Sequence, residues 1–322
     1  MLAFLKLIRL PNLLIIAFTQ YMIRFCLIEP ILNLAGLYLQ ITDGEFALLV
    51  LGTVLVAAGG YVINDYFDVR IDNINKPEEL VIDNGVDRRV AMAAHAVMSM
   101  LGVAIGIFIA WKCNIFLAGG TLFTVSVIGL WFYSTSFKYQ FLSGNLIISL
   151  FTGMVPFMVA LFEVPRLILR YSTTLAQQQY DHGTVLTSTI LLWAGAYGLT
   201  AFGLSLIREI IKDMEDVEGD QEFGCRTMPI VLGIKKTKWI VSALIVLFIA
   251  GIGYIQYLQL GSEDSYSFYY FLALIQLPLL LVLFITYTAK EKKHFHNASI
   301  LVKFIMLTGI CYLLLLKFVL LK

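Results

Sequence analysis

Nine apolar stretches, each long enough to cross a bilayer, run through this chain of 322 residues. They lie near residues 13–35, 46–64, 89–111, 115–133, 143–162, 185–208, 237–257, 267–288 and 299–320. A hydrocarbon layer about 30 Å thick needs roughly 20 apolar residues per helix. With 59% hydrophobic and only 14% charged residues, the chain cannot hide this surface in a water-soluble core. In lipid every backbone polar group must be satisfied within the protein. The expected fold is therefore an all-α integral membrane protein with nine transmembrane helices.

The net charge of +1 says little, but the placement of the cations says more. With the N-terminus inside, the inside segments carry Lys6, Arg9, Arg70, Lys76, Arg88, Arg89, Lys138, Arg208, Lys212, Arg226, Lys235, Lys236, Lys238, Lys290, Lys292 and Lys293. Only Lys112, Arg166, Arg170 and Lys322 fall outside, and Arg24, Lys303 and Lys317 fall within spans. The positive-inside rule then places the N-terminus in the cytoplasm and, after nine spans, the C-terminus outside. Residues 1–9 lead straight into a full-length span, so no cleaved signal is expected. Cys26, Cys113, Cys225 and Cys311 are scattered without a CxxC pair and are expected to pack as isolated thiols. His294 and His296 form an HxH in a basic stretch, read as a headgroup-facing loop because two histidines alone make a poor metal site. Residues 163–184 make the longest outside loop, within which RLILRYSTTLAQ is either an ordinary loop or a helix lying flat on the membrane.

Two acidic sets interrupt this pattern. Asp65, Asp68 and Asp72 in NDYFDVRID are spaced i, i+3, i+7, and so are Asp213, Asp216 and Asp220 in KDMEDVEGD. At about 100° per residue each set falls within an arc of roughly 60° on a helix and makes one acidic stripe. Each stripe sits at the inner end of a span, the second and the sixth, so both helices run in the same direction and reach the same membrane face. The matched spacing suggests a pseudo-repeat of residues 1–140 and 141–290, two four-helix units, with a ninth helix at 299–320.

Charged groups at a membrane are costly. Two carboxylates 4 Å apart repel by about 4 kcal/mol at an effective dielectric of 20, so facing stripes require cations. Oxygen ligands without His or Cys select Mg²⁺ or a similar ion, which usually completes its shell with water and substrate phosphate. A diphosphate bridging two carboxylate-held ions meets that requirement. Arg70 and Lys76 follow the first stripe, Lys138 ends the fourth span, and Arg208, Lys212 and Arg226 surround the second, all candidates for phosphate oxygens.

NDYFDVRID resembles the first aspartate motif of the UbiA superfamily of intramembrane prenyltransferases, and KDMEDVEGD looks like its second. RLPNLL at 9–14, YSTSFK at 133–138, GN at 144–145 and GCRTMPIVLG at 224–233 are similar to further family segments. The resemblance implies a nine-helix bundle around a cavity open to lipid, with a Mg²⁺-dependent site at the cytoplasmic face. By motif match, Asn64, Asp65, Asp68 and Asp72 would hold one metal ion, and Asp213, Asp216 and Asp220 a second. Tyr133 and Lys138 would bear on the diphosphate and the reacting allylic carbon. The expected partners are an isoprenyl diphosphate, an acceptor and membrane lipids, and nucleic acid is not among them.

Within the family the motif pair looks most like the branch that joins a geranylgeranyl group to geranylgeranylglyceryl phosphate. That branch usually follows NKP with an Arg-Pro segment, whereas Glu78, Glu79 and Leu80 stand here, with Arg88 and Arg89 the nearby cations. Prenylation of an aromatic ring in quinone biosynthesis is the alternative, since an aromatic acceptor needs no second phosphate site. A cation transporter is the remote one, because coupling carboxylates usually sit near the midplane on interrupted helices rather than at helix ends.

Overall fold

A computed structural model describes residues 2–177, 182–259 and 264–320. Helices dominate because the apolar runs leave the backbone no partner but itself. A short α1 (Leu2–Leu7) precedes α2 (Leu10–Leu34), α3 (Asp43–Asn75), α4 (Arg88–Lys112), α5 (Phe116–Thr135) and α6 (Ser143–Gln177). There follow α7 (His182–Glu215), two short helices α8 (Val217–Glu222) and α9 (Met228–Leu232), then α10 (Ile234–Leu258), α11 (Ser265–Thr288) and α12 (Lys292–Leu320). Among the described residues nine helices are long and apolar enough to cross a membrane, as the apolar runs require.

The helices outrun the hydropathy. α3 begins with a capping box, in which the Thr42 hydroxyl accepts from the Glu45 N–H and the Glu45 carboxylate accepts from the Thr42 N–H. It continues through NDYFDVRIDNIN, which holds no Gly or Pro, and stops just before Pro77. Residues 163–177 extend α6 and are neither a loop nor a separate surface helix; its internal Pro156 and Pro165 do not end it. Residues 178–181 of that expected loop, and Lys322, lie outside the described residues.

The chain divides into two compact units, one of residues 1–136 with 153–199 and the other of 137–152 with 200–322. In the first, α3, α4 and α5 pack closely through small residues. A Cβ at Gly106 would stand 2.2 Å from the Phe123 ring, which is fully buried. Gly106→Ala is therefore expected to destabilise by about 1–3 kcal/mol, the usual result of overpacking, read as a lower unfolding temperature in detergent. The short α1 is held by a cluster that groups Leu7 with Val62, Val81, Ile82, Val86 and Ala91.

This unit also buries charge: Arg24, expected within a span, and Glu163, expected at the start of an outside loop. Arg24, 2% exposed, donates from Nη2 to the Ile41 carbonyl at 2.6 Å and to Asp43 at 2.9 Å, and its Nη1 lies 3.8 Å from Glu163, 1% exposed. The Glu163 carboxylate also accepts from the backbone N–H groups of Gln40 and Ile41. The network pins the connection between α2 and α3 at the end of α3 remote from its acidic stripe. Removing one member of a buried pair strands the other, so Glu163→Leu is expected to cost about 3–5 kcal/mol, measured as thermal stability of the purified protein.

In the second unit the core joins Met214, Val241, Ile245, Val282, Phe295, Ala298 and Val302. Cys26, Cys113 and Cys225 are buried and form no disulfide, in keeping with a packing role, and burial pushes the Cys113 thiol up to about 12.

Candidate active site

The first acidic set lies on one uninterrupted helix, α3, as its spacing requires. The Asn64 amide donates to Asp68 Oδ2 at 2.7 Å, one turn on, and so orients that carboxylate. Arg9 Nη2 donates to Asp65 Oδ1 at 2.7 Å, and its guanidinium lies over the Tyr61 ring at 5.3 Å. Arg9 reaches the stripe because it takes a left-handed backbone, φ 52°, at the joint between α1 and α2, with Pro11 starting the latter. Charge placement had counted Arg9 only as an inside cation.

Of the expected cations in this unit, Arg70 is exposed, and Lys76 ends α3 with its N–H on the Asp72 carbonyl at 2.7 Å. Arg88 pairs with Asp83 at 3.1 Å and lies over Tyr66 at 5.5 Å. Tyr133 is half-buried near the end of α5. Trp131, which a lipid-facing or packing role would also suit, stands edge-on to Phe67 and beside His95.

The second set differs from a continuous stripe. Asp213 is on α7 and Asp220 on α8, with Asp216 at the break between them, at φ −100° and ψ 10°. The break is shallow, since Asp216 still donates to the Lys212 carbonyl at 2.9 Å and Asp220 to that of Asp216 at 3.1 Å. Asn145 donates from Nδ2 to Asp213 Oδ2 at 2.7 Å, as Asn64 does for Asp68 in the other unit. Both residues of the GN pair thus have physical reasons. A Cβ at Gly144 would stand 2.7 Å from the Lys138 Cα, so only glycine lets the start of α6 lie against the Lys138 backbone. The residue that follows YSTSFK, Tyr139, is joined to GCRTMPIVLG, the Arg226 N–H donating to the Tyr139 carbonyl at 2.7 Å.

Arg208 and Lys212 both engage Glu209, at 2.6 and 3.4 Å. Arg226 is exposed and Lys138 half-buried, its Nζ 5.1 Å from the centre of the Tyr139 ring. The HxH is no loop, for both histidines stand in the first turns of α12 and His296 bonds to Glu215.

Among the described residues no three His, Cys, Asp or Glu side chains converge as a protein-only metal cage would require. Mg²⁺ does not require one, being held by one or two carboxylates plus water and substrate phosphate. Carboxylates oriented by Asn amides, with hard oxygen donors only, fit such an ion.

The profile of the UbiA prenyltransferase family matches residues 34–315. A digeranylgeranylglyceryl phosphate synthase of Thermococcus gammatolerans is 28% identical over 273 residues, covering 82% of this chain and 83% of that protein. A solved structure of a digeranylgeranylglyceryl phosphate synthase superposes with a TM-score of 0.60 at 23% identity, covering 98% of this chain and 97% of the other. A UbiA homologue of Archaeoglobus fulgidus, bound to GPP and Mg²⁺, superposes with a TM-score of 0.53 at 16% identity, covering 97% and 99%.

Proposed function

This chain belongs to the UbiA prenyltransferase family, and on that premise we propose that it transfers a geranylgeranyl group from its diphosphate to geranylgeranylglyceryl phosphate. The observation that carries the chemistry is the pair of acidic sets, each with a carboxylate fixed by an asparagine amide at 2.7 Å. What supports the acceptor is similarity to a digeranylgeranylglyceryl phosphate synthase along 82% of the chain.

In this reading Asn64, Asp65, Asp68 and Asp72 would hold one ion and Asp213, Asp216 and Asp220 a second, both on the cytoplasmic side. The two sets belong to the pseudo-repeat of 1–140 and 141–290, and the C-terminus lies outside. Bound divalent ions would neutralise the diphosphate as it leaves. Arg70, Lys76, Lys138, Arg208, Lys212 and Arg226 take phosphate oxygens, Arg208 and Lys212 by sharing themselves with Glu209. The allylic C–O bond breaks toward a delocalised cation and a diphosphate anion. Tyr133 presents its ring to that cation. The surrounding apolar helices exclude water until the acceptor hydroxyl forms the ether and gives up its proton.

The test is product analysis. Purified protein, geranylgeranyl diphosphate and Mg²⁺ are supplied with geranylgeranylglyceryl phosphate or with an aromatic quinone precursor, and products are read by mass spectrometry. A doubly prenylated glyceryl phosphate is expected. A C-prenylated ring with no ether would overturn the acceptor and favour the quinone branch.

A further inference from the structure

We propose that His296, on α12, is a positioning residue for the second acidic set, acting through Glu215 on the helix break at Asp216. The proposal rests on the reading of Asp213, Asp216 and Asp220 as metal-holding.

The direction in which Asp220 leaves Asp213 depends on one residue, Asp216, whose φ of −100° and ψ of 10° depart from helical values. Everything after such a joint swings with it. The residue just before it is Glu215, whose side chain is only 3% exposed. A carboxylate this deep is retained only with a partner. That partner is His296, which donates from Nδ1 to Glu215 Oε1 at 3.0 Å across 81 positions of sequence.

His296 is itself braced on either side. His294 Nδ1 accepts the N–H groups of Lys290 and Glu291, each at 3.3 Å, which fixes the start of α12. Ser299 donates to the His296 carbonyl at 2.9 Å, and neighbouring Phe295 is buried in the same core as Met214. The end of α7 is therefore tied to α12 by a shared apolar core and by a polar pair, Glu215 with His296. The shared core supplies cohesion. The polar pair is directional and sits one residue before the joint that aims Asp216 and Asp220; contacts that orient metal ligands typically govern metal affinity by about 10–100-fold.

The experiment measures Mn²⁺ binding by electron paramagnetic resonance, with inorganic pyrophosphate present, on the purified full chain. His296→Ala is expected to weaken Mn²⁺ binding by about tenfold or more, and His296→Gln, which keeps an N–H donor, to restore it. If the alanine variant does not fold, His296→Phe keeps the ring volume and deletes the donor. Thr308→Ala, elsewhere on α12, removes a bond to the Leu274 carbonyl and should lower stability without moving Mn²⁺ affinity. Unchanged Mn²⁺ binding in the His296 variants, or a loss that glutamine does not restore, overturns the proposal. Asp216→Ala separates the two layers of inference: if it too leaves Mn²⁺ binding intact, the metal-holding reading of the set has failed rather than the role of His296.

Discussion

Prenyl transfer is expected to fall below about one-hundredth of normal in Asp68→Ala, and equally in Asp216→Ala, with both proteins still folded and membrane-inserted. Losing one group that stabilises developing charge costs about 10²–10³ in rate, some 2.7–4 kcal/mol, and each carboxylate has that task in the proposed mechanism. Folding is spared because neither side chain belongs to an apolar cluster. Asp68 is half-buried with its own helix neighbour Asn64 as donor, and Asp216 is half-buried at a joint whose backbone bonds remain. Steady-state rates at saturating Mg²⁺, with unfolding temperature as the companion measurement, decide the matter. Near-normal turnover in either variant removes that carboxylate from the mechanism.

Asn145→Ala gives the second large effect, and of a different kind. Asn145 is buried and its amide holds Asp213 Oδ2 at 2.7 Å. It is not expected to touch the leaving group. Without it the carboxylate is free to turn, so the apparent Mg²⁺ affinity drops by about 10–100-fold while the rate at saturating Mg²⁺ falls far less. A Mg²⁺ titration of activity separates this from Asp216→Ala, whose loss is not recovered by added metal. An equal loss at all Mg²⁺ concentrations would mean that Asn145 acts on something other than metal affinity through Asp213.

These two predictions draw on different sources. Asp68 and Asp216 are conspicuous in the sequence because charge amid nine apolar runs needs a reason, and because helical spacing groups each set on one face. Asn145 had only its place in a GN pair beside a helix start. Its partner lies 68 positions away, and no periodicity links the two. Arg24 is passed over for a similar reason, while Glu163 falls at the start of an expected outside loop. Hydropathy averages over a window and tolerates one charge within it, so the same signal covers a charge that snorkels and one that is clamped. The HxH at 294 and 296 was assigned to a loop because its neighbours are lysines, yet the helix of the last span begins before it.

By itself the sequence determined the membrane-spanning helical class, the span count and the grouping of the first aspartate set on one helix, since all three follow from local rules: apolar length, the 1.5 Å rise and the 3.6-residue turn. Tertiary structure alone decided which donor holds which carboxylate, where α7 breaks, and that a histidine of the last span bonds to the glutamate just before that break. Those choices depend on which helix packs beside which, and packing partners far apart in the chain leave no local trace.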